Sequence, residues 1–493
     1  MLTNTDFNVP KFFSKNSESI FWIAGLFAIL FFCSAIFTER SYFYIAPFAC
    51  LFLALVLLNF RVIFFVMLVV MPVSVESYLG SFGTDLPSEP MVVLLAGCTI
   101  LYLIYNKDEF KSASFRHPIF IILFGLFGWS IFVTLFSTDV ILSVKYLLAK
   151  AWYLLGFFVL PIVLLRSRKS IQLFFWCLFV PTFLSIIYVM VRHGMMGFTF
   201  DNITQAVHPV YRNHVNYAVF ITMLLPFVFL AKSWYSKESF LNKLLKFSVP
   251  IFLAAIYFSY TRGAWLATGA MAAYYIVLRF NLTKYVLTVA TIVTIAFCAF
   301  ILKDNNYLKY SPDFEHTIYH DELSAHLTST FEMEDMSTVE RFYRWIAAIN
   351  LFKEHPLVGV GPNNFVTNYK KYTVTAYETY ISDNEEKSTV HNYFLLLLTE
   401  QGFPAVILFT VLLFAILLTA QKTYNKVYNE QKMYVAAITL CIIAFLLNNT
   451  LSDLVEANKI GSLFLMCLGL LVNFSVGAVA MNDEPKEIFR SER

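Results

Sequence analysis

The sequence predicts an all-α protein, a polytopic transmembrane helical bundle of about 14 spans with one large, mainly helical external loop. Three observations predict it. Of the 493 residues, 58% are hydrophobic and only 14% charged, a balance that a water-soluble globule could not carry without exposing apolar surface on a large scale. Apolar runs long enough to cross a bilayer, which takes about 20 residues each, recur along the whole chain between short polar breaks. The polar mass is gathered late, in residues 303–390, where the chain turns acidic and aromatic for nearly ninety residues.

In order, the candidate spans are 20–37, 42–59, 61–78, 89–105, 118–136, 147–165, 171–191, 215–231, 247–261, 264–280, 284–302, 391–420, 433–450 and 459–478. They divide the chain into a bundle with short loops at 1–302, the large loop at 303–390, and C-terminal helices with a tail at 391–493. The first run follows Lys11 and Lys15 but has no small-residue cleavage site after it, so it reads as a span and not as a signal peptide. Orientation follows from Lys and Arg in the short connections. One alternate set carries Lys107, Lys111 and Arg116; Arg166, Arg168 and Lys169; Lys232, Lys237, Lys243 and Lys246; Arg279 and Lys284; and Lys422, Lys426 and Lys432. With 14 spans both basic tails fall on that same side, so both termini are expected in the cytoplasm and the 303–390 loop on the external face. The seven cysteines all lie inside apolar runs, which suits packing and gives no disulfide or zinc spacing.

The large loop holds 14 Asp/Glu and 8 Lys/Arg. Ser337 and Glu340 have the spacing of a capping box, and Phe342, Trp345, Ile346 and Ile349 follow at helical spacing until Pro356. A tight turn is expected at Gly359-Val360-Gly361-Pro362-Asn363-Asn364-Phe365.

Three places on the expected outer face carry arginine in unusual company: His208-Pro209-Val210-Tyr211-Arg212-Asn213-His214, the hairpin Tyr260-Thr261-Arg262-Gly263, and Glu340-Arg341-Phe342-Tyr343-Arg344-Trp345. The guanidinium fork suits phosphate oxygens and stays charged, so converging arginines beside a membrane would seat a diphosphate. Each alone equally suits an arginine snorkelling at a helix end. His391, at the start of the twelfth span, has a side chain whose usual pKa of about 6.5 suits a general base, or a hydrogen-bonded structural group. Acidic pairs at Asp313/Glu315 and in Glu332-Met333-Glu334-Asp335 lack the glycine of a calcium loop, and no metal or other cofactor is expected. No phosphate-binding glycine loop, dinucleotide fingerprint or GxSxG elbow is present, and no nucleic-acid partner is expected.

Taken together, Thr261-Arg262-Gly263-Ala264-Trp265-Leu266, then Glu340-Arg341 with Trp345 and His355-Pro356-Leu357-Val358-Gly359-Val360-Gly361-Pro362, then His391-Asn392 with Glu400-Gln401-Gly402 resemble the O-antigen ligase and O-antigen polymerase superfamily in order and spacing. The similarity covers roughly residues 200 to 420. It implies an inverting, metal-independent membrane glycosyltransferase that takes a glycan from undecaprenyl diphosphate. By position, on the periplasmic side of a bacterial inner membrane, Arg262 and Arg341 would hold the diphosphate and His391 would activate the acceptor hydroxyl; Arg212 is the candidate for the basic residue the family has before the eighth span, and His214, Tyr211 and Arg344, the last without a family counterpart, are further candidates for binding the diphosphate or glycan. Tyr-Arg-Asn-His-Val-Asn stands where the family has an Asn-Pro-Asn type of turn. The acceptor implied is the lipid A core for a ligase, a second lipid-linked glycan for a polymerase, or a protein hydroxyl for an oligosaccharyltransferase. From another class, a lipid-linked oligosaccharide flippase also has many spans, but would bring ionisable residues deep into several of them and two similar halves. Lys145 and Lys150, near the sixth span, have no assigned role.

Overall fold

A computed structural model describes residues 60–79, 82–303, 336–372 and 389–481. The spans expected at 20–37 and 42–59, the two acidic groups of the large loop and the C-terminal tail lie outside the described residues, as do the side chains of Ser337 and Glu340. The described chain is a helical bundle. Nine of its helices are long and apolar enough to cross a membrane, and Phe60–Val73 and Pro118–Thr134 are shorter apolar helices.

In chain order these are α1 (Phe60–Val70), α2 (Ser88–Tyr105), α3 (Pro118–Thr134), α4 (Val140–Leu164), α5 (Arg168–Met195), the short α6 (Phe200–Val207), α7 (His214–Lys232), α8 (Phe240–Phe258), α9 (Arg262–Arg279) and α10 (Thr283–Leu302). After the first part of the large loop come α11 (Met336–Glu354) and the single turn α12 (Phe365–Asn368), then α13 (Tyr393–Lys426), α14 (Asn429–Leu451) and α15 (Asn458–Ser475). Every expected span from 61–78 onward falls on one of them. α9 carries Arg262, Arg279 and two glycines in its 18 residues and is not among the nine.

Two boundaries differ from the sequence reading. The span expected at 61–78 stops early, in a 3₁₀ turn at Met71–Val73 that contains Pro72, and the chain then forms an antiparallel hairpin of β1 (Val75–Leu79) and β2 (Phe82–Leu86), with Val75 opposite Leu86. Pro72 has no N–H to continue a helix, and Val75–Leu79 finds its backbone partners across the hairpin instead. The span expected to begin at 147 begins at Val140, because the Asp139 carboxylate accepts from the Leu142 N–H at 3.0 Å and caps the helix. Lys145 and Lys150 therefore lie on α4, with the Lys150 ammonium 5.7 Å from the Tyr146 ring centroid.

The centre of the bundle is α15, buried without a break from Ile460 to Phe474, with α14 and α7 packed beside it. An apolar helix buried all round belongs inside a bundle; α10, almost wholly exposed, lies at its rim. At one end the basic connections gather: Arg166 pairs in a fork with Glu109 at 3.0 and 2.8 Å, Arg168 with Glu430 at 2.7 Å, and Asn281 meets Asn425. At the other end lie the hairpin, residues 193–214, the α8–α9 turn, α11 and α12, and the α14–α15 turn, joined by the contacts described next. We call this the loop end.

Candidate functional site

The loop end is built on a break in α13. Gly402 has φ 76° and ψ −179°, and the helix is interrupted there. A break leaves carbonyls and an N–H without their helical partners, a costly state in apolar surroundings unless other groups replace them. Here the tight turn of the large loop replaces them. The Val360 and Gly361 N–H groups donate to the Thr399 and Glu400 carbonyls at 3.0 and 2.8 Å, Trp129 Nε1 donates to the Gln401 carbonyl at 2.9 Å, and the Phe403 N–H donates to the Pro356 carbonyl at 2.9 Å. The buried Glu400 carboxylate accepts from the Asn363 N–H at 2.8 Å and the Phe365 N–H at 3.0 Å. The approach excludes side chains: a Cβ on Gly402 would lie 2.1 Å from the Leu357 carbonyl oxygen, and one on Gly359 would lie 2.3 Å from the Glu400 carbonyl carbon. The Gly-Val-Gly-Pro and Glu-Gln-Gly motifs are thus two halves of one joint.

That joint sets α11 against the bundle. Ala347, Ala348 and Leu351 enter the main core, and Trp345 Nε1 donates to the Val390 carbonyl at 3.1 Å. Of the face expected from periodicity, Ile346 is buried while Phe342, Trp345 and Ile349 are part-buried; the buried face also takes Tyr343 and, unexpectedly, Arg344, which is 3% exposed.

Residue 391 is held from three directions. Val390 is tied to α11 through Trp345; the Thr389 hydroxyl donates to the Asp453 carboxylate; the Asn392 amide donates to the Thr450 carbonyl at 3.0 Å while its oxygen caps α13 through the Leu395 N–H. His391 itself has φ 55°, a left-handed conformation that side chains other than glycine adopt at a cost of order 1–3 kcal/mol and that tends to mark functional positions. Its Nδ1 lies 3.9 Å from Asp453 Oδ1, beyond a hydrogen bond but within reach of a small closure.

The electrostatics follow from this placement. Burial, then the Arg344 and Arg341 guanidinium groups, bring His391 from its usual 6.5 down to about 3, so its imidazole is neutral at physiological pH. Burial pushes the Asp453 carboxyl up, against the pull of the Thr389 hydrogen bond and of Arg344 and Arg212. One neighbourhood therefore contains His391, Asp453, Arg341, Arg344 and Arg212. Arg212 is exposed on its loop.

The remaining expected residues lie on the segment of Arg212 and on the hairpin that meets it. Arg262 begins α9; next to it, the Thr261 hydroxyl reaches the His214 carbonyl at 3.5 Å, which sets the α8–α9 hairpin against the start of α7. The His214 Nδ1 meets the Thr204 hydroxyl at 2.9 Å and its ring packs on Phe200, which also packs on Tyr260. Tyr211 is buried, its hydroxyl 3.1 Å from that of Ser185 and its ring edge-on to Tyr217. Among the described residues no three His, Cys, Asp or Glu side chains meet as a metal-holding group.

Residues 247–410 match the family model described as O-antigen ligase. This stretch, about a third of the chain, is similar to the O-antigen ligase superfamily. It runs from α8 through the Arg262 hairpin, α11 and His391 to the break in α13, and so contains the resemblance read from the motifs. The match supports a multi-pass membrane protein of glycosyltransferase type acting in O-antigen processing. No curated protein matches the chain.

Asp453 escaped the sequence reading. Its signal was there to find: a lone carboxylate in a turn of a few residues between two apolar runs, a costly place for a charge without a partner.

Proposed function

We propose that the protein transfers a glycan from undecaprenyl diphosphate to an acceptor hydroxyl of the lipid A core, by an inverting route and on the periplasmic side of the inner membrane. The observation that carries this reading is the convergence of His391, Asp453 and three arginines at the loop end, inside and beside the stretch that matches the O-antigen ligase family.

Arg341 and Arg262, with Arg212, hold the diphosphate. As the bond from the anomeric carbon to the phosphate oxygen breaks, its electron pair leaves with undecaprenyl diphosphate, and fixed guanidinium groups stabilise that added charge. The acceptor oxygen attacks the anomeric carbon from the opposite face, and its proton passes to Nε2 of His391. Asp453, beside Nδ1, orients the ring and stabilises the imidazolium that forms. Without donor, burial and then the Arg344 and Arg341 guanidinium groups keep His391 a weak base; diphosphate charge brought to Arg341 offsets part of that and raises its basicity when the donor is in place. Arg344, being buried, acts on His391 and Asp453 rather than on solvent-borne substrate, while Tyr211 and His214 support the loop and hairpin that present Arg212 and Arg262.

Two experiments test this. Arg262→Ala and Arg341→Ala should each lower transfer by about 10²–10³-fold, the usual loss for one charge-stabilising group, with membrane expression retained; wild-type turnover in either variant removes that residue from the site. A reporter fused after Asp335 should read as periplasmic and one after Lys243 as cytoplasmic, and the reverse would overturn the orientation.

A further inference from the structure

Lys459, in the first turn of α15, ends in an unusual setting. Its Nζ lies 3.0 Å from the Pro72 carbonyl oxygen, 2.9 Å from that of Ser74 and 2.5 Å from that of Val210, and 4.6 Å from the centroid of the Tyr211 ring. An ammonium has three N–H donors, and here each has a carbonyl from one of two distant segments. Below the ammonium, the Tyr211 hydroxyl is paired with Ser185 and its ring packs on Tyr217. Two residues on, the Asn213 side chain accepts from the Asn216 N–H at 2.9 Å and caps α7. Residues 210, 211 and 213 are therefore pinned, and Arg212 between them is exposed. Lys459 follows Asp453 by a single 3₁₀ turn, Leu454–Glu456, so the loop that carries Arg212 is fastened to the segment that carries Asp453.

We propose that Lys459 is a positioning residue for donor binding: through the Val210 carbonyl and the Tyr211 ring it fixes where Arg212 meets the diphosphate. This rests on the function proposed above for Arg212. A lysine satisfied by carbonyls could also serve the fold alone, and the two roles differ in whether its loss is felt when Arg212 is already gone.

The test is binding of undecaprenyl diphosphate, with undecaprenyl phosphate as control, to the purified full chain in lipid nanodiscs. Proteins compared are wild type, Arg212→Ala, Lys459→Met and the double variant; Lys459→Gln, which keeps donors for the carbonyls, guards against simple misfolding. Arg212→Ala should weaken diphosphate binding about tenfold, the scale of one charge-assisted hydrogen bond, and Lys459→Met by a similar factor. Lys459→Gln should fall between Lys459→Met and wild type. In the Arg212→Ala background, Lys459→Met should change Kd less than about twofold. Full penalties that add in the double variant, or an unchanged Kd in Lys459→Met while Arg212→Ala weakens binding, overturn the positioning role alone. An unchanged Kd in Arg212→Ala overturns the donor-binding reading of Arg212 and this inference with it.

Discussion

Two polar regions sit within ten residues of each other at the start of α13, and they are built on opposite principles. Around Glu400 both carboxylate oxygens accept backbone N–H groups, and Asn364 donates to Ser137 and Ser143 while accepting from Thr138 and the Asp139 N–H. Around His391 the Asp453 carboxylate stands 3.9 Å away, burial and then two arginine guanidinium groups act on the ring, and the backbone is left-handed. A fully satisfied buried network specifies one geometry and holds it, whereas strongly perturbed acidity tends to cluster at functional sites. The family motifs therefore do two jobs. Gly-Val-Gly-Pro and Glu-Gln-Gly fasten the loop, and in the proposed function Arg341 and His391 use the position so gained.

Variants that attack the first region should cost structure, and those that attack the second should cost chemistry. The largest effect is expected for Gly402→Ala: the new Cβ would sit 2.1 Å from the Leu357 oxygen at a positive φ, and the folded, detergent-stable fraction should be lost in size-exclusion chromatography. Asp453→Asn keeps shape and hydrogen-bonding capacity but removes the charge beside Nδ1. Transfer should fall by roughly 10²-fold with unchanged thermal stability, since general-base assistance as a whole is worth about 10²–10⁴. Glu400→Gln should do the reverse. One of its two backbone donors would face an amide N–H₂, costing about 1–3 kcal/mol of stability, read as a lower unfolding temperature with turnover at low temperature intact.

The smallest effect sharpens the electrostatic side. With His391 held down to about 3, the base of the free enzyme stays neutral as pH falls through 6.5, so kcat/KM for donor should not show the usual histidine limb there. Arg344→Gln removes the second of the three causes of that shift, so the pKa rises while burial keeps it below 6.5. The acid limb should then move upward in pH: the variant loses activity relative to wild type at about pH 5 and matches its own plateau above pH 7. A limb at the same pH in both proteins would show that Arg344 does not act on His391.

Much of the fold was legible because lipid imposes a simple rule on sequence. Each apolar run of sufficient length had to become a helix, and all those among the described residues did. The ends were less legible, since polar caps decide them; Asp139 adds two turns to the start of α4. The hairpin after Pro72 was hidden inside an apolar run that could have continued as helix. Of the site, the arginines and His391 could be singled out by residue type and company. Their sorting could not, because Arg344 facing inward and Tyr211 lying beneath Lys459 depend on packing between helices. Asp453 and Lys459 meet partners 64 and up to 387 residues away, and no local pattern encodes such a meeting.

The measurement that tests the central claim most directly is glycan transfer in a deletion strain complemented with wild type or His391→Ala. Lipopolysaccharide, lipid-linked glycan and glycoproteins would be followed by gel and mass spectrometry. The account predicts loss of polymer-capped lipopolysaccharide and accumulation of the lipid-linked donor in His391→Ala at normal expression; loss of chain length or of a glycoprotein instead would reassign the acceptor. Full transfer by His391→Ala would contradict the proposed base and the reading of the site built around it.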